Sequence, residues 1–139
     1  MKKLEIYDKN NKLLFIATDE NGFMDLTEQC LQSANLQGMT LQGFYFTDSD
    51  LRWASLDDAD LYWADLTYCN MEETSCRFAD FRGADLTGAV LRNSDLTGAK
   101  FGLDNIGGRT NLSGADLSGA IITRADFTDA TVDRNTIWP

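Results

Sequence analysis

Through most of the chain a leucine, phenylalanine or other bulky apolar residue returns at every fifth position, with polar residues between. Leu36, Leu41, Phe46, Leu51, Leu56, Leu61 and Leu66 set the beat, and Met71, Cys76, Phe81, Leu86, Leu91, Leu96 and Phe101 continue it. Two residues before many of them stands a small one, as at Ala54, Ala59, Ala64, Ala79, Ala84, Ala89 and Ala99. A period of five fits neither a helix nor a strand. In extended backbone Ala84 and Leu86 share one face and Asp85 takes the other. The next inward residue is Ala89, so the chain has to turn a corner at Thr87-Gly88. Glycine recurs at that corner, at Gly38, Gly43, Gly83, Gly98, Gly114 and Gly119. A corner every five residues winds the chain into coils whose backbones pair at about 4.8 Å. No coil buries its inner residues alone, which is the logic of a solenoid.

Ala34-Asn35-Leu36-Gln37-Gly38, Ala84-Asp85-Leu86-Thr87-Gly88 and Ala115-Asp116-Leu117-Ser118-Gly119 read A(D/N)LXX. In these segments the chain resembles the pentapeptide repeat proteins, and the likeness runs over residues 34–137. The resemblance implies an all-β fold, a right-handed four-sided β-helix with four pentapeptides to a coil and a handful of coils, about five. On that count Leu41, Leu61, Phe81, Phe101 and Ile122 form one inner column, and Phe46, Leu66, Leu86, Ile106 and Phe127 the next.

The first 33 residues depart from the beat and read as a cap, with 34–139 as the β-helix of the same single domain. Leu4 to Ile16 flank the turn-rich Asp8-Lys9-Asn10-Asn11, which predicts a β-hairpin. Asp19-Glu20-Asn21-Gly22 is a second turn. A short helix over 25–32 with Asp25 as its N-cap follows, although Leu26 and Leu31 also fit a first irregular coil. Phe101 to Leu112 spans eleven residues where ten would keep the beat, which predicts a one-residue phase break near 102–111. Ile106 then points inward and Asp104 takes a small slot. A buried unpaired carboxylate is costly, so Asp104 is expected to be hydrogen-bonded in a bulge, or 102–110 to loop outward. The beat resumes at Leu112, Leu117, Ile122, Phe127, Val132 and Ile137. The C-terminal coil is expected to lie bare and to pair two copies, with Ile137 and Trp138 at the contact.

Composition narrows the function. The 139 residues carry a net charge of −10 and a pI near 4.2, which argues against direct nucleic-acid binding. Histidine is absent, no nucleophile elbow or phosphate loop occurs, and catalysis, a cofactor or a metal site finds no support. Cys30, Cys69 and Cys76 match no zinc or redox spacing and read as free thiols. Glu5, Asp8, Lys9 and Lys12 interrupt any leader-like core behind Met1-Lys2-Lys3, and no apolar run approaches membrane length. A soluble cytoplasmic protein is expected. Two outward features are candidates for binding. Trp53, Tyr62, Trp63, Tyr68 and Phe78 are outward aromatics not needed for the core, and aromatics are common in contact surfaces. Asp60 under Asp80 and Asp65 under Asp85 form an acidic stripe. That stripe either closes corners or imitates duplex phosphate, as the resemblance implies for relatives that protect DNA gyrase. Arg77, Arg82 and Arg92 interrupt it. The expected role is a rigid scaffold for a protein partner. DNA mimicry toward gyrase, a topoisomerase or another DNA-binding protein, and assembly through coil ends, are the alternatives.

Overall fold

A computed structural model describes residues 2–20 and 23–139. Met1, and the Asn21-Gly22 part of the expected second turn, lie outside the described residues. Three strands open the chain: β1 (Lys3–Tyr7), β2 (Leu13–Glu20) and β3 (Phe23–Met24), antiparallel in the order β1-β2-β3. The expected hairpin is present, turned at Asp8, whose carboxylate accepts from the Asn10 and Lys12 amides. From Asp25 onward the chain is a stack of coils joined by single parallel bridges. Asp25, Tyr45, Asp65, Asp85, Asn111 and Thr131 make the first face. Cys30, Asp50, Asn70, Val90, Asp116 and Ile137 make the second. Asn35, Ser55, Ser75, Asp95 and Ile121 make the third, and Thr40, Asp60, Asp80, Lys100 and Asp126 the fourth.

No helix forms over 25–32. Leu26 and Leu31 are fully buried in the beat, and the Leu26 and Leu31 amides donate to Tyr45 and Asp50 carbonyls. The reason is that β2 already lies over the open end, where Ile6 and Ala17 are buried against the column. A helix there would forfeit the backbone pairs that the next coil offers.

Every corner turns through a residue of positive φ two places after the inward bulky one, from Glu28 and Ser33 to Asp129. Inside, the bulky residues of one column follow the bridge register. The Phe81 and Phe101 rings stack at 4.8 Å and Phe101 and Phe127 at 4.7 Å, which is the coil spacing imposed on the rings. Ser49, Thr74, Ser94 and Thr110 replace alanine in small slots. The hydroxyls of Thr74, Ser94 and Thr110 donate to carbonyls at 2.7–2.8 Å, so the polar atoms are satisfied where they are buried.

Two expectations about register fail. Bridged residues are twenty apart as far as Asp80↔Lys100, but twenty-six apart from Asp85↔Asn111 to Lys100↔Asp126. Six residues, not one, are therefore looped out. Ile106 is 80% exposed rather than inward. Leu112 follows Leu86 in its column, and Phe127, not Ile122, follows Phe101; Ile122 comes under Leu96. The cause is the inward slot itself. A one-residue break would have put the Asp104 carboxylate there, whereas Thr110 fits it and bonds the Phe81 carbonyl at 2.8 Å. The second failure is at Ile137. The turn at 133–136 adds one residue, so Asp116 pairs with a residue twenty-one places on. Ile137 takes that outward bridging place at 50% exposure, and Trp138 turns its ring edge-on to Phe127 at 5.0 Å.

Candidate partner-binding surfaces

The aromatic candidates occupy the corners. Trp53, Trp63, Tyr68 and Phe78 all have φ of 56–61°, a conformation that costs a bulky L-residue about 1–2 kcal/mol. The rings of Trp63, Tyr68 and Phe78 cover glycines of the next coil. A Cβ added at Gly83 would come within 2.9 Å of the Trp63 indole nitrogen, and one at Gly98 within 2.5 Å of the Phe78 ring. Gly88 is covered in the same way by Tyr68. The Arg52 guanidinium lies 5.2 Å from the Trp53 ring centre and that of Arg77 5.9 Å from Phe78. The five aromatics are not one patch. Tyr62 and Trp63 share the corner between the fourth and first faces, with rings 6.3 Å apart. Tyr68, Trp53 and Phe78 lie on the other three corners.

The acidic candidates lie where the spacing put them: Asp60 bridges Asp80 on the fourth face and Asp65 bridges Asp85 on the first. Each carboxylate closes its own corner. Asp60, Asp65, Asp80 and Asp85 accept from the amides of Tyr62, Thr67, Arg82 and Thr87 at 2.9–3.2 Å. Asp80 is also clasped by Arg82 at 2.6 Å, and Lys100 follows it on the ladder. Burial would raise the Asp80 carboxyl, but the Arg82 guanidinium and amide hold it below the usual carboxylate range. Arg52 ties Asp50 at 2.7 Å and Arg92 ties Asp116 at 2.6 Å. The fourth face thus carries Arg82 and Lys100 beside its aspartates, and the second face carries Arg52 and Arg92.

The expectation that Asp104 is hydrogen-bonded, or that 102–110 loops outward, is met on both counts. The structure makes this residue the centre of a clasp. Its Oδ1 accepts from the Ile106 and Gly108 amides at 2.8 and 2.5 Å, and its Oδ2 from the Tyr62 hydroxyl at 3.1 Å and the Trp63 indole N–H at 2.9 Å. Burial pushes this carboxyl up, but the four donors outweigh it and hold it below its ordinary value. The looped-out 102–110 segment is thus fastened to the Tyr62-Trp63 corner, with Leu103 40% and Ile106 80% exposed. Its signal in the sequence was the conflict between an aspartate and a small inward slot.

The thiols of Cys69 and Cys76 are pushed up to about 12 by burial and are unreactive; Cys30 is exposed. Among the described residues no group of acidic, histidine or cysteine side chains could hold a metal ion, and no helix is long and apolar enough to cross a membrane.

The sequence matches the family model for pentapeptide repeats over residues 30–67, 45–75, 69–102 and 108–134. The gap in these matches falls on the looped-out segment. No curated protein matches the chain. Among solved structures, a pentapeptide repeat protein from the Arabidopsis thaliana thylakoid lumen is 29% identical, with a TM-score of 0.70 over 79% of this chain and 72% of its own. The pentapeptide repeat protein alr5209 from Nostoc PCC 7120 is 33% identical, with a TM-score of 0.62 over 68% of this chain and 74% of its own. QnrB1, a plasmid-mediated fluoroquinolone resistance protein, is 15% identical with a TM-score of 0.36 over 92% of this chain and 71% of its own, too distant to inform function. The five-residue beat, the twenty-residue ladders and these matches agree: the chain belongs to the pentapeptide repeat family.

Proposed function

We propose that the protein is a non-enzymatic rigid scaffold that binds a protein partner at the corner where the 102–110 loop is fastened to Tyr62 and Trp63. The observation that carries this reading is Ile106. It is the most exposed large apolar side chain among the described residues, and it sits in a loop that two hydrogen bonds to Asp104 close on itself and two fasten to Tyr62 and Trp63. Loops displayed on a rigid frame are where binding residues concentrate. Leu103 and the half-exposed Trp63 supply further apolar area at the same loop and corner. Tyr68 and Phe78 pack over glycines of the next coil instead, and Trp53 lies under the Arg52 guanidinium. The test compares crosslinked partners of the wild type and Ile106→Asp in the native host, with matched thermal melts. A partner lost from Ile106→Asp but kept by Tyr68→Ser supports the site. Identical partners for all three chains would remove it.

One observation favours DNA mimicry, the stacking of Asp60 on Asp80 and Asp65 on Asp85 on adjoining faces. Arg82, bound to Asp80, and Lys100 on the same ladder weaken that field on the fourth face. A gyrase supercoiling assay, with and without a quinolone, decides it, since no change in either would dismiss the mimic. Pairing of two copies through the C-terminal coil has support in the exposure of Val132, Ile137 and Trp138, and sedimentation at rising concentration tests it. We place the protein in the cytoplasm, where Cys69 and Cys76 would stay reduced as buried thiols.

A further inference from the structure

The strands β2 and β3 begin as a tight antiparallel pair and then part. Asp19 pairs with Met24 and Glu20 with Phe23, and the same register would next oppose Thr18 to Asp25 and Ile16 to Thr27. The register ends at the first of these pairs: with the Asp19 amide bonded to Lys2, the Asp19/Met24 pair is held by the flanking Thr18 carbonyl and Asp25 amide, and beyond it opens a wedge-shaped groove of about 530 Å³. Four consecutive residues of β2, Phe15, Ile16, Ala17 and Thr18, line it. A strand does this only with its edge, because its side chains alternate between faces.

The hydrogen-bond parity shows what that edge offers. The Asp19 amide donates to the Lys2 carbonyl at 3.0 Å, so Lys2 and Asp19 are a bonded pair. With Lys3 opposite Thr18 and Glu5 opposite Ile16, the bonded pairs alternate through Leu4/Ala17 and Ile6/Phe15. The N–H and C=O groups of Ile16 and Thr18 therefore face away from β1, into the groove. The opposite wall is the open edge of the first coil. In later coils the bridging residue turns both main-chain groups to the preceding coil, as Asp60 does toward Met39 and Leu41. Asp25 holds this position with no coil before it, so its N–H and C=O point to the groove as well. Past the Thr18 carbonyl and Asp25 amide, the Ile16 N–H and C=O, the Thr18 N–H and the Asp25 C=O are left facing the groove. The Phe23 and Tyr45 rings, 5.8 Å apart, form an apolar wall, and Asp25 is the charged residue that lines it.

We propose that this wedge is a docking slot for an extended segment of a protein partner, which adds as a strand to the edge of β2 and carries a cationic side chain to Asp25. The backbone edges select an extended chain. The aromatic wall takes its apolar side chains. The Asp25 carboxylate, in a protein of net charge −10, selects lysine or arginine. The slot shares no residue with the 102–110 loop, so the two readings stand or fall separately.

Random displayed peptides panned on the full chain test this. The expected winners alternate apolar and polar residues and carry a lysine or arginine. In the free protein the Ile16 and Thr18 amides exchange fast while those of Phe15 and Ala17 are protected, and a winning peptide protects all four. Ile16→Pro removes the donor on the open edge without touching a β1 bond, and should weaken the peptide by about tenfold or more. Asp25→Asn should abolish the preference for a cation. No enriched pattern, or full binding by a folded Ile16→Pro, would overturn the proposal. So would protection of the Ile16 and Thr18 amides on self-association without peptide, since the occupant would then be a second copy. Should Ile16→Pro fail to fold, the exchange pattern of the native chain with peptide decides alone.

Discussion

The coils from Thr40 to Phe101 and the loop that follows them both have to place aspartates, and they do it in opposite ways. In the coils the bridging aspartates Asp50, Asp60, Asp65, Asp80, Asp85 and Asp95 sit outward and bond an amide two residues on, each closing the corner of its own repeat. In the loop Asp104 reaches back forty-one residues to the Trp63 indole. The coils are secured by a continuous apolar column that runs past any one corner. The loop is secured by one carboxylate. The difference teaches that stability resides in the column, while the loop is held as an attachment that can be released without unwinding the rod.

The strongest way to break that contrast is in the column. Leu86→Ala should cost about 2–5 kcal/mol, because coils above and below fix the cavity walls. Chemical denaturation measures it. The corners come next. Gly88→Ala adds a Cβ at φ 65° and drives it into the Tyr68 ring, whereas Gly38→Ala at φ 66° meets open space. Both should lose about 1 kcal/mol or more of backbone strain, with a further loss at Gly88 only. Repeating Gly88→Ala in a Tyr68→Ala background should remove the excess.

Much of this was legible in the sequence, for a physical reason. A period of five with an alternating small and large residue has few geometric solutions, so the columns through Leu41, Leu61, Phe81 and Phe101 could be read directly. The loop could not. The same eleven-residue interval accommodates one extra residue or six, and only the competition between Asp104 and Thr110 for a buried slot decides between them. The outward place of Ile137 is hidden likewise, since the added residue at 133–136 leaves no mark on the apolar pattern. Outwardness of the aromatics was readable, but their service as lids over Gly83, Gly88 and Gly98 depends on what lies one coil further on.

The loop gives a smaller effect. Asp104→Ala should leave the melting temperature nearly unchanged while the Ile106 and Gly108 amides exchange far faster. A large fall in melting temperature would show that the loop belongs to the column. The smallest effect is that of pH. Asp50, Asp80, Asp104 and Asp116 all titrate below their ordinary value when folded. The stability they add is complete above an unfolded pKa of about 3.9 and is lost as pH falls through the lower folded values. Melting temperature should be flat from neutrality to about pH 5 and fall only in stronger acid.

The register across the loop is what the whole account rests on, and ring contacts of Phe101 in a nuclear Overhauser spectrum read it most directly. Cross-peaks from Phe101 to both Phe81 and Phe127 are the predicted result. Cross-peaks to Ile122 in place of Phe127 would mean that one residue, not six, is looped out, and would contradict it.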